Sequence, residues 1–158
     1  MNIEIVDFPE TKIAVVEHFG APEKEYESVK KLVAWRMANK LPPSDLHKSY
    51  GIHYNDPNQV SSSEYRIDLC VSVLQEVSAN SFGVVNKTIP ALRCAKVRHL
   101  GSRENVTAAR YLYDEWLASS GEQLAEFPVF FHYVNVGPHV QESDMITDVY
   151  LPLLNNLD

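Results

Sequence analysis

Two segments of the chain, residues 12–18 and 92–99, concentrate or alternate apolar and β-branched residues and stop at a glycine, Gly20 and Gly101. Both patterns predict strands. A stretch with helical spacing follows each. In residues 23–39 the apolar positions are Tyr26, Val29, Val33 and Met37; in residues 104–118 they are Val106, Ala109, Tyr113 and Trp116. Recurrence every three or four residues predicts amphipathic helices whose apolar faces belong to the core. Leu41-Pro42-Pro43 closes the first helix, and Gly121 takes a C-terminal position after the second. Two more strands are expected after each helix, at 48–54 and 65–74 and at 128–135 and 145–153. Short strands at 3–7 and 82–88 precede each series. The loop over residues 55–63 is rich in turn formers, and its partner is Val136-Gly137-Pro138-His139.

The same order of elements twice suggests a repeat, and the residues carry one. The segment Ile13-Ala14-Val15-Val16-Glu17-His18-Phe19-Gly20 agrees with Cys94-Ala95-Lys96-Val97-Arg98-His99-Leu100-Gly101 at four of eight positions, with an offset of 81. That offset also carries Trp35 onto Trp116, the two tryptophans of the chain. His53-Tyr54 matches His132-Tyr133 at offset 79, and Asp68 matches Asp148 at offset 80. The expectation is a single domain over residues 1–158, made of two pseudo-symmetric halves at about 1–80 and 81–158. Each half is a strand–helix–strand–strand unit. Two such half-sheets side by side leave a groove at their seam, a favoured place for a ligand.

Composition narrows the class. The 158 residues are 45% hydrophobic and 22% charged, which is ordinary for a globular domain. No apolar run approaches the roughly 20 residues of a membrane span, and Met1-Asn2-Ile3-Glu4 lacks the basic start of a signal peptide. A cytoplasmic protein with no membrane partner is expected. The formal charge of −7 argues against direct nucleic-acid binding, which relies on clustered Lys and Arg. Cys70 and Cys94 sit in apolar, strand-like runs without CxxC spacing and read as buried free thiols. The six histidines, His18, His47, His53, His99, His132 and His139, form no HxH, HExxH or Cys/His spacing, so no metal is expected. No GxSxG elbow, P-loop or dinucleotide fingerprint appears, and no cofactor is expected.

The segment Tyr50-Gly51-Ile52-His53-Tyr54-Asn55-Asp56-Pro57, followed by Glu64-Tyr65-Arg66-Ile67-Asp68-Leu69-Cys70-Val71, resembles the effector-binding domain of AraC-type regulators and the stand-alone GyrI-like DNA gyrase inhibitors. The "apolar strand, His, x, Gly" opening and the Trp late in the first helix fit the same pattern, so the resemblance covers essentially the whole chain. It implies a duplicated α+β fold, an eight-stranded antiparallel sheet with two helices and a central seam pocket for lipophilic, often cationic or aromatic, ligands. In relatives a Glu on the last strand points into that pocket. Here Thr147-Asp148-Val149-Tyr150 puts Asp148 in its place, one methylene shorter.

The residues give their own reason for a carboxylate there. In the alternating segment Met145–Leu153, Asp148 shares a face with Ile146 and Tyr150, away from Val149, Leu151 and Leu153. An acid flanked by rings suits a cation whose body stacks while its charge is met. The expected ligand-binding residues are Asp148 and Tyr150 with Tyr54, Tyr133, Tyr113, Trp116 and Phe131; each ring also reads as packing. Asp68 reads as the partner of Arg66 in a structural ion pair. The leading functional expectation is a small-molecule sensor, acting alone or with the DNA-binding portion of an AraC-type regulator, since the 158 residues hold no helix-turn-helix signature. A hydrolase of strained small molecules, with Asp148 and Tyr133 placing a water, and a DNA gyrase-binding inhibitor are the alternatives that the resemblance leaves open. No catalytic residue is assigned.

Overall fold

The computed structural model describes residues 2–155. Eight strands, all paired antiparallel where their register is defined, and two helical rods make an α+β fold. The strands are β1 (Ile3–Phe8), β2 (Thr11–Phe19), β3 (Ser49–His53), β4 (Arg66–Ser72), β5 (Val85–Ile89), β6 (Leu92–Leu100), β7 (Phe130–Tyr133) and β8 (Ile146–Leu153). One rod is a regular helix, α1 (Glu25–Ala38). The other runs from α2 (Thr107–Tyr111) through a π-helical turn (Leu112–Trp116) into α3 (Leu117–Ser120). Among the described residues no helix is long and apolar enough to cross a membrane.

The chain divides into two compact units. The first is Thr11–Ile89; the second joins the residues up to Glu10 to those from Pro90 onward. In the first the strand order is β3-β4-β2-β5, and in the second it is β7-β8-β6-β1. The strand that precedes β2 therefore does not pair with it. β1 lies along β6, with Ile3 opposite Val97 and Phe8 opposite Leu92, while β5 lies along β2, with Ile89 opposite Thr11.

Strand alternation sorts each sheet into two faces. In the first unit Ala14, Val16, Ile67, Leu69 and Val71 join Leu32 and Trp35 of α1 in one apolar cluster. In the second, Ala95, Val97, Phe131, Val149, Leu151 and Leu153 join Ala108 and Leu112 in another. Each rod thus covers one face of its own sheet. Both long strands end in a glycine, Gly20 at φ +108° and Gly101 at φ +111°, a conformation that L side chains rarely adopt. Beside these turns His18 Nε2 donates to the Ala21 carbonyl at 3.0 Å, and His99 Nε2 to that of Ser102 at 3.0 Å. His18 Nδ1 is then the acceptor for the Ser28 hydroxyl at 2.8 Å, which ties β2 to α1.

The first helix departs from its expected face. Tyr26, Val29, Val33 and Met37 are 40% to 75% exposed, and α1 instead buries Ser28, Leu32 and Trp35. The apolar stripe and the core-facing stripe are different sides of the same helix. The large ring of Trp35 at 5% exposure fills the space above the sheet, so the smaller apolar residues are left on the outside.

Candidate functional site

The second rod sits on its sheet differently from α1. Along α1 the buried residues are Ser28, Leu32 and Trp35, with spacings of four and three. Along the second rod the residues over the sheet are Ala108, Leu112 and Trp116, with spacings of four and four. The extra residue is taken up by the π-helical turn, in which the Leu117 N–H donates to the Leu112 carbonyl five residues back. Such turns recur at functional sites because they insert one residue without breaking the helix. Here the insertion changes the setting of the tryptophan. Trp35 is sealed in, whereas Trp116 is half-buried, packed on a floor of core residues with part of its ring open.

Two further expected site residues belong to that floor or pack on it, and a third, Tyr113, stands on the turn itself. Phe131 and Tyr133 lie on the helix side of β7, opposite Val149 and Thr147, with their rings edge-to-face at 6.4 Å. Phe131 is buried and Tyr133 half-buried against the same cluster. Tyr113 lies on the π-helical turn and is 40% exposed. Aromatic side chains half-buried on a packed floor make a surface suited to an apolar ring.

Arg103, which the sequence reading did not single out, borders this surface. Its guanidinium carbon lies 5.1 Å from the centre of the Tyr133 ring. Nε donates to Thr147 Oγ1 at 2.9 Å, and Nη2 to the carbonyls of Ile146 at 2.7 Å and Asn135 at 3.0 Å. Desolvation pulls its pKa down from the ordinary arginine value, partly offset by Tyr133. A single arginine in a loop has no periodicity to mark it in the sequence.

Asp148 and Tyr150 occupy the other face of the second sheet. Asp148 lies opposite Arg98 on β6 and His132 on β7. Arg98 meets it through Nε at 2.9 Å and a second nitrogen at 3.1 Å, and Lys96 Nζ stands 3.8 Å away. Tyr150 stacks on Phe130 at 5.1 Å and meets the edge of Phe8 at 5.2 Å. Burial, then the neighbouring Asp148, pushes its hydroxyl up to about 12. Asp148 is therefore not brought together with Tyr133, because adjacent residues of a strand point to opposite faces.

Asp68 and Tyr54 form a separate constellation in the first unit. The Tyr54 hydroxyl donates to Asp68 Oδ2 at 2.6 Å, and Lys87 Nζ donates to the same oxygen at 2.7 Å and to Glu17 at 2.8 Å. Burial and the Asp68 hydrogen bond push the Tyr54 hydroxyl up to about 12. The expected Arg66–Asp68 pair is replaced by this arrangement. Arg66 instead lies over the Tyr54 ring at 3.8 Å and the Phe19 ring at 4.9 Å, with Glu17 at 3.8 Å. Among the described residues no group of three or more His, Cys, Asp or Glu side chains is arranged to hold a metal.

Comparison with known proteins agrees with this architecture. The probable transcriptional regulator YgiV of Escherichia coli K12 is 32% identical over 154 residues, covering 97% of this chain and 96% of the relative. A DNA gyrase inhibitor of Erwinia billingiae is 31% identical over 157 residues, covering 97% of each chain. The crystal structure of the EcmrR C-terminal domain superposes with a TM-score of 0.77, covering 97% of each chain at 13% identity, a likeness of fold. The family model described as the GyrI-like small molecule binding domain matches residues 1–154, and the chain belongs to that family.

Proposed function

We propose that the chain is a sensor domain that binds a lipophilic aromatic small molecule on the ring surface of Trp116, Tyr133 and Tyr113, with Phe131 as part of its floor. The observation that carries this reading is the difference between the two tryptophans: Trp35 closed beneath a regular helix, Trp116 half-open on a π-helical turn. A ring held open over a packed floor offers stacking and apolar burial to a ligand at little ordering cost. The resemblance to a probable transcriptional regulator supports a regulatory output. That output requires the bound and free states to differ in their contact with a DNA-binding partner.

The test is calorimetric titration with 2-naphthalenemethanol, a neutral aromatic probe. The wild type and Trp35→Phe should bind it alike, and Trp116→Ala should weaken it by about tenfold, the loss expected for one stacking ring of 1–1.5 kcal/mol. Equal binding by Trp116→Ala would remove the ring surface from consideration.

A second reading, inhibition of DNA gyrase, takes support from the Erwinia relative and from the exposed stripe Tyr26/Val29/Val33/Met37, an apolar surface on which a protein partner would rest. A supercoiling assay with wild type and Val33→Glu separates the two: inhibition by the first and not the second favours gyrase, and no inhibition by either removes it.

A further inference from the structure

The chain has several partly buried arginines, and they are neutralised in different ways. Arg93 meets Glu122, Arg98 meets Asp148, and Arg66 has Glu17 at 3.8 Å. Arg36 has no carboxylate within ion-pair distance among the described residues, but all three of its nitrogens are engaged. They donate to the Leu41 carbonyl, the Ser49 hydroxyl and the His47 carbonyl. Arg103 differs from each of them in lacking both a carboxylate and a full set of acceptors. No described carboxylate forms an ion pair with it, and its bonds use only Nε and Nη2. Nη1 has no protein acceptor among the described residues.

This leaves a half-buried cation, rigidly held at two nitrogens, with one edge unused beside an aromatic surface. A desolvated charge without a counter-ion is costly, and an acceptor that supplies opposite charge recovers that cost. Guanidinium N–H groups favour carboxylate oxygen, and a charge-assisted hydrogen bond is about twice as strong as a neutral one. Four acceptor atoms on three residues already fix the side chain, so little ordering remains for a ligand to impose.

We infer that Arg103 determines the charge class of the ligand: Nη1 donates to a carboxylate carried by an aromatic molecule whose ring rests on Tyr133 and Trp116. This rests on the ring-surface reading above and specifies its ligand as an aromatic carboxylate. The face that holds Asp148 supplies no competing demand for a cation, because Arg98 already meets that acid.

Three matched probes test the inference: 2-naphthoate, 2-naphthalenemethanol and 2-naphthylmethylammonium, titrated calorimetrically into the full chain and into Arg103→Gln. The wild type should bind the carboxylate about tenfold more tightly than the alcohol, the worth of one charge-assisted hydrogen bond, and the ammonium most weakly. Arg103→Gln should bring carboxylate and alcohol to within about twofold of each other. The wild-type ranking stands without the variant, should Arg103→Gln melt below the assay temperature. Equal binding of the three probes, or tighter binding of the ammonium, overturns the role of Arg103 and leaves the ring surface standing. Failure of all three to bind overturns the ring surface itself, and the charge assignment with it.

Discussion

Arg98 grips both carboxylate oxygens of Asp148, with Nε 2.9 Å from Oδ1 and a terminal nitrogen 3.1 Å from Oδ2. The two residues lie directly opposite each other on β6 and β8. The Asp148 side chain is 4% exposed and that of Arg98 is 52% exposed. Removing the arginine leaves a buried carboxylate with Lys96, at 3.8 Å, as its one remaining cation among the described residues. Breaking a fully buried pair costs about 3–5 kcal/mol; with Arg98 half in solvent, Arg98→Met should cost about 1–3 kcal/mol. Urea denaturation measures this. Binding of 2-naphthalenemethanol should stay unchanged in that variant, because the pair lies on the sheet face away from Trp116.

The exposed stripe of α1 makes an opposite prediction for stability. Val33 and Met37 point away from the core, so Val33→Lys and Met37→Lys should each change the unfolding free energy by less than about 0.5 kcal/mol. Leu32, one residue away and buried among Ala14, Trp35 and Leu69, should lose about 2–4 kcal/mol as Leu32→Ala. Chemical denaturation of the three variants decides which face of α1 is core. Loss at Val33 as large as at Leu32 would return the stripe to the interior.

His53 sets a pH dependence. Burial pushes its imidazole down from 6.5 to about 4, against the raising influence of Asp56. The folded chain therefore holds it neutral where the unfolded chain takes up a proton. Its contribution is intact above the unfolded value of 6.5 and is lost as pH falls toward 4, with a slope of up to about 1.4 kcal/mol per pH unit. Between pH 6.5 and 5, above the ordinary carboxylate range, stability should fall in the wild type and fall less in His53→Gln. Denaturation midpoints at pH 7.5, 6 and 5 compare the two. Parallel curves would exclude His53 as the source.

The alternation of apolar residues was enough to place all eight strands and both rods, because a strand period of two and a helix period near four are local properties. What alternation could not supply was the pairing of β1 with β6 and of β5 with β2, which depends on contacts far apart in sequence. The site was harder for a sharper reason. The match of His53-Tyr54 to His132-Tyr133 makes the two tyrosines equivalent. In the sheets, however, Ile52 lies opposite Asp68 while His132 lies opposite Asp148. Tyr133 therefore corresponds to His53, and a slip of one residue turns a side chain to the other face. The same arithmetic separates Asp148 from Tyr133. Arg103 escaped notice because a single arginine in a loop carries no periodic signal; only its geometry marks it.

The π-helical turn offers the most direct handle on the ring surface. Deleting the exposed Asp114 shortens the spacing from Leu112 to the tryptophan from four residues to three, the spacing between Leu32 and Trp35. The helix can then close as a regular α-helix, with three residues carrying the chain roughly 300° round its axis from Leu112 to the tryptophan, as between Leu32 and Trp35. Regular hydrogen bonding replaces the wide turn, so the deletion should leave the thermal midpoint unchanged or raised. The tryptophan should now resemble Trp35, covered by the sheet. In a Trp35→Phe background, where Trp116 is the sole tryptophan, the deletion should shift tryptophan fluorescence to the blue and protect it from acrylamide. Affinity for 2-naphthalenemethanol should fall by about tenfold, as it does on removal of the ring. Retained binding with a blue-shifted tryptophan would show that the ligand does not use Trp116, whatever the stability of the shortened helix.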